Sequence, residues 1–159
     1  MRRFAMLSLV ALCGVVLAGC AGSSEPTSRK KLEREFQAEF GFPPSNQITE
    51  LRCKIVWVGD TWSKWMLFTL DEATVQGIVG AGFVLADSAS LVRPREKLWT
   101  LDLTDKRPNP NAPKWWQLPG IKKVRVYYKE GHPKDFEGYR YLWIDGDTKT
   151  VYAKSSAWH

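Results

Sequence analysis

The sequence predicts an α+β domain, an antiparallel sheet of about four to six strands with two helices packed on one face. Three observations carry that expectation. The stretches "KKVRVYYK", "YRYLWID" and "TVYAK" alternate apolar and polar residues with period two, as antiparallel strands with one wet face do. "LRCKIVWV" and the residues after "GDT" make an earlier strand pair. Two segments with helical spacing bracket that pair.

The first helix is expected over residues 28–40, where Leu32, Phe36 and Phe40 recur at i, i+4 and i+8. Gly41 is its expected stop, and Pro43 and Pro44 prevent continuation. Strands follow at about residues 48–58 and 62–69. Leu51, Cys53, Ile55 and Trp57 share one face of the first, and Gly59-Asp60 forms the turn. The second helix is expected in "TLDEATVQGIVGAGF", where Thr69 and Glu72 have capping-box spacing. Its inner face is read as Val75, Ile78, Val79 and Gly82. Residues 84–121 hold five prolines and read as irregular, with a short strand in "KLWTLDL". In the next strand Val124, Val126 and Tyr128 take one face, and Lys123, Arg125, Tyr127 and Lys129 the other. "GDTK" links the last two strands, with Asp145-Gly146 as its turn signal.

The chain ahead of this domain has a different character. Arg2 and Arg3 precede an apolar run, Phe4 to Ala18, of 15 residues. A membrane-spanning helix needs about 20. A basic start, a short apolar run and small residues at its end describe a secretory signal peptide. Leu17-Ala18-Gly19-Cys20 closes it and resembles the lipobox of bacterial lipoproteins. The resemblance implies cleavage before Cys20, a lipid on its sulfur and acylation of the new N-terminus. It also implies an envelope location, and Ala21 in the next position favours the outer membrane over the inner one. Anchoring by more than one acyl chain is stable, at roughly 0.8 kcal/mol per buried CH₂. The expected organisation is a signal peptide at 1–19, a lipidated N-terminus with a flexible linker ("AGSSEPT") at 20–27, and one domain at 28–159. Loss of Arg2 and Arg3 takes the formal net charge from +6 to +4.

Few residues suggest chemistry. Cys13 leaves with the signal peptide and Cys20 takes the lipid, so Cys53 stands alone, read as a small buried hydrophobe on a strand face. There are two histidines, His132 in an expected loop and His159 at the end. No nucleophile elbow, phosphate-binding glycine loop, paired-cysteine motif or H-E-x-x-H helix occurs. Asp145 and Asp147 lack the further ligands of a calcium loop, and turn chemistry accounts for both. Glu130, Asp135 and Glu137 flank one turn and read as solvated. No cofactor and no metal are implied.

The distinctive region runs from Lys106 to Lys129, with seven basic residues and no Asp or Glu. Trp115, Trp116, Lys122, Lys123, Arg125 and Tyr127 form the candidate binding surface. Cations attract an anionic polymer and flat rings stack on it. Export argues against nucleic acid, leaving anionic envelope components or an envelope protein as expected partners. The same tryptophans also have a plain packing role over the end of a small core. The expected function is therefore a lipid-anchored, non-catalytic interaction module. The alternative is a small envelope hydrolase acting on cell-wall or lipid substrates.

Overall fold

The computed structural model describes residues 21–86, 109–117, 123–130 and 138–158. In chain order its elements are β1 (Ala21–Ser24), α1 (Arg29–Phe40), β2 (Leu51–Val58), β3 (Thr61–Thr69), α2 (Glu72–Gly80), β4 (Val84–Leu85), β5 (Val124–Glu130), β6 (Tyr139–Asp145) and β7 (Thr150–Trp158). The strands make one seven-stranded sheet in the order β1-β2-β3-β7-β6-β5-β4, with every pairing antiparallel.

The sheet is thus larger than the four to six strands expected. Its five inner strands are those expected from the sequence, four of them marked by alternation and β3 by the turn before it, and the two added ones lie at the edges. β1 comes from "AGSS", read as part of a linker, and all four of its residues are exposed. It pairs Ala21 with Val58 and Ser24 with Ile55. Four small residues with no buried face show no period, so backbone pairing alone makes this strand. β4 has two residues, too few for any pattern. The short strand expected in "KLWTLDL" lies outside the described residues.

α1 starts at Ser28, whose carbonyl accepts the amides of Lys31 and Leu32 at 3.0 and 3.1 Å. It ends at Gly41, whose left-handed φ of 81° is the conformation a glycine cap allows. Leu32, Phe36 and Phe40 are buried as the spacing requires. Phe36 has ring-centroid distances of 4.6 Å to Phe40, 5.1 Å to Phe68 and 5.5 Å to Phe42.

α2 begins later than its capping-box signal suggests. Thr69 stays in β3, paired with Thr150, and Asp71 is the cap instead. One Asp71 oxygen accepts the Thr74 amide at 2.7 Å, and the other accepts the Ser45 hydroxyl. Ile78 and Thr74 face inward while Val79 is exposed. Gly77 lets the helix come close, since a Cβ there would sit 2.5 Å from the Phe42 ring.

The core has two parts. The larger joins α1 and α2 residues to Leu51, Cys53, Met66, Phe68, Leu142, Ile144, Val151 and Ala153 of the sheet. The smaller holds Val126, Tyr141 and Trp143, with Trp116 and Tyr152 packed against them. Alternation along each strand separates the two sets, so they lie on opposite faces. The β2–β3 connection is the expected two-residue turn, with Val58 opposite Thr61. The β6–β7 loop spans the four residues of "GDTK", with Ile144 opposite Val151 before and after it.

Candidate interaction surfaces and a buried charge cluster

Among the described residues of the candidate binding surface, Trp116 lies on the opposite face of the sheet from Arg125 and Tyr127. Trp116 lies over the smaller core. Its ring sits edge-on to Trp143 at 5.9 Å and to Tyr152 at 5.5 Å, with Val124, Val126 and Tyr128 on the same face. Arg125 and Tyr127 alternate with those residues and point the other way, and Tyr127 packs against the larger core. Trp115 is half-buried beside Trp116, 6.4 Å between centroids, and its indole N–H donates to Glu25 Oε1 at 2.9 Å. That bond ties the 109–117 segment to the chain just after β1.

The cations are divided as well. Lys123 Nζ lies 3.0 Å from Asp147 Oδ1, an exposed pair that partly neutralises it. Lys129 donates to the Ala81 carbonyl at 2.6 Å, behind the end of α2, and lies 5.9 Å from the Phe83 ring centre. A cation suits that helix end, where the backbone dipole is negative. Arg125 and Lys114 are exposed. Cys20, Lys106, Arg107, Lys122, His132, Asp135, Glu137 and His159 lie outside the described residues, and the side chain of Glu130 does too.

Asp145 is occupied by its turn. It accepts the Asp147 amide at 2.9 Å, the Thr148 hydroxyl at 2.9 Å and the Thr148 amide at 3.4 Å. These bonds, led by that from the Asp147 amide, hold its carboxyl below the usual aspartate value. Among the described residues no group of three His, Cys, Asp or Glu side chains is placed to hold a metal ion. No described helix is long and apolar enough to cross a membrane.

Cys53 sits on the buried face of β2, fully enclosed. Burial pushes its thiol up to about 12, opposed by the nearby Lys64 charge and reinforced by Glu35 and Glu39. It is a protonated core group at neutral pH.

Sequence reasoning missed one constellation altogether. Glu39 of α1 is buried against the sheet, with Lys64 of β3 at 3.5 Å and Arg140 of β6 at 3.2 Å. Ser155 of β7 donates its hydroxyl to Glu39 at 3.1 Å, and Lys64 also reaches Glu35 at 3.2 Å. Lys64, Ser155 and Arg140 are cross-strand neighbours in one row of the sheet. Each acceptor and each cation here has a partner inside the set, so its chemistry is cohesion between helix and sheet. A signal for it existed. Lys64 is in phase with Met66 and Phe68, Arg140 with Leu142 and Ile144, and Glu39 lies on the Leu32–Phe36 stripe.

Beyond that charged row, Trp57 and Trp62 sit opposite one another near the hairpin turn. Trp57 is 40% exposed and its neighbour Val58 52%. Lys64 Nζ lies 5.8 Å from the Trp62 ring centre. No family model, no curated protein and no solved structure matches this chain.

Proposed function

We propose that this chain is a lipid-anchored bacterial envelope protein, held at Cys20 and more at home in the outer than the inner membrane. Its mature domain is a non-catalytic interaction module for a partner protein or an anionic envelope component. The observation that carries this is Leu17-Ala18-Gly19-Cys20 at the end of a basic, then apolar, leader. The two helices, whose buried residues share one cluster, are read as covering a single face of the sheet. That leaves the sheet edges and loops as contact sites.

Within the candidate surface, the exposed cations carry the proposed contact. Trp116 is engaged in packing, whereas Arg125 is exposed and the Lys123 pair is open to solvent. Each basic group near an anionic surface contributes up to about 1 kcal/mol, and salt weakens the attraction.

Two measurements test the reading. The Cys20→Ala protein is expected to leave washed membranes and to lose incorporation of a labelled fatty acid; retention of both refutes the anchor. The lipid-free mature protein is expected to bind anionic vesicles or glycan more tightly than neutral ones. That preference should shrink at high salt and in Lys123→Glu/Arg125→Glu. Equal binding to both refutes the anionic contact.

A further inference from the structure

We infer that the β2–β3 end of the sheet rests directly on a lipid surface, with Trp57 and Trp62 at headgroup level. The inference builds on the lipid anchor proposed at Cys20. It starts from register. β1 opens at Ala21, one peptide bond after Cys20, and Ala21 is paired with Val58. Consecutive Cα atoms are about 3.8 Å apart, so an acylated Cys20 has no slack to stand the domain away from the bilayer. The segment that looks like a tether is zipped to β2 from its first residue. The acyl chains must therefore leave beside Val58 and the Gly59-Asp60 turn.

That end of the sheet has the surface such a position calls for. Trp57 and Val58 are both exposed large apolar residues, and Trp62 beside them is half-buried. Gly22, the second residue of β1, is paired with Trp57, and Trp57 with Trp62. The pair is set apart from the buried core by the polar row of Lys64, Ser155 and Arg140 with Glu39 above it. An indole is amphipathic and settles where hydrocarbon meets headgroups. Lys64 stays with its carboxylates, while Asp60 is the acid at the turn itself. The loop before β2 lies at the opposite end of that strand, roughly 23 Å away at about 3.3 Å per residue.

The test uses the full, lipidated protein in phosphatidylethanolamine and phosphatidylglycerol vesicles that carry a nitroxide on the headgroup. A fluorophore is placed on Asp60→Cys or, as control, on Gln47→Cys in the loop before β2. Buried Cys53 leaves the new thiol as the reactive one, which unlabelled wild-type protein checks. Several-fold stronger quenching at position 60 than at 47 is expected, falling towards the position-47 value in Trp57→Glu/Trp62→Glu. Equal quenching at both positions, with the protein still retained on washed vesicles, overturns the seating and leaves the anchor standing. Protein that washes off overturns the anchor, and the seating with it.

Discussion

On one face of the sheet Phe36 meets Phe40, Phe42 and Phe68 within 5.5 Å, and a buried carboxylate on the same helix grips two cations and a serine. On the other, among the described residues, the half-buried Trp116 ring stands edge-on to Trp143 and Tyr152, held by a segment whose Trp115 reaches Glu25. A helix delivers a stripe of residues at fixed spacing, so its cover is dense and its errors are shared. An irregular segment delivers one large side chain at a time. The face under α1 is therefore expected to dominate stability, while the aromatic face tolerates change.

Truncating the centre of each cover is the most severe trial of that contrast. Phe36→Ala removes a fully buried ring and is expected to destabilise by about 4 kcal/mol, whereas Trp116→Ala should lose about 2 kcal/mol because its neighbours can close in. Urea unfolding of both variants checks this. If Trp116→Ala is the more damaging, the ranking of the two faces is reversed.

Glu39→Gln is next, at about 3 kcal/mol, because Arg140 and Lys64 lose the carboxylate they share. The loss should be little affected by salt, since Glu39 and Lys64 are buried. Strong salt dependence would mean the cluster is wetter than its geometry implies.

Cys53→Ala should lose about 1 kcal/mol, a small cavity compared with that of Phe36. With its thiol pushed up to about 12, Cys53 should react slowly with thiol reagents in the native protein and rapidly in denaturant. A folded value above the unfolded one holds its contribution below pH about 9 and loses it as pH rises towards about 12. Cys53→Ala should flatten that alkaline decline.

The smallest effect is at the α2 cap. Burial opposes ionisation of Asp71, but bonds from Ser45 and the Thr74 amide outweigh it and hold its carboxyl below the usual value. Its contribution is present at neutral pH and fades as pH falls below about 4 towards the folded value. Asp71→Asn keeps a capping side chain and should make acid unfolding shallower by a few tenths of a kcal/mol, approximately, in titrated melts.

The two faces also differ in how legible they were. The Leu32–Phe36–Phe40 stripe and the alternation of Leu51, Cys53 and Ile55 announce their burial, because helix and strand each impose one period. Nothing in "AGSS" announces β1, whose partner is a backbone 31 to 37 residues on. The basic run suggested one surface, yet alternation in β5 sends Arg125 and Tyr127 away from Trp116. The Glu39 cluster was hidden because its members are scattered along the chain and charged residues read as solvated. Their phase with apolar neighbours was the clue.

The place of β7 in the sheet bears on the order of events when the chain is made. β7 follows every other described strand in sequence, yet it lies between β3 and β6, where it joins β1-β2-β3 to β6-β5-β4. Until its residues emerge, the two halves have no common seam and Phe68 lacks its partner Val151. The two halves of the sheet therefore stay unjoined until the last strand is made, and closing such distant pairings is slow. The fold completes from the middle, and last.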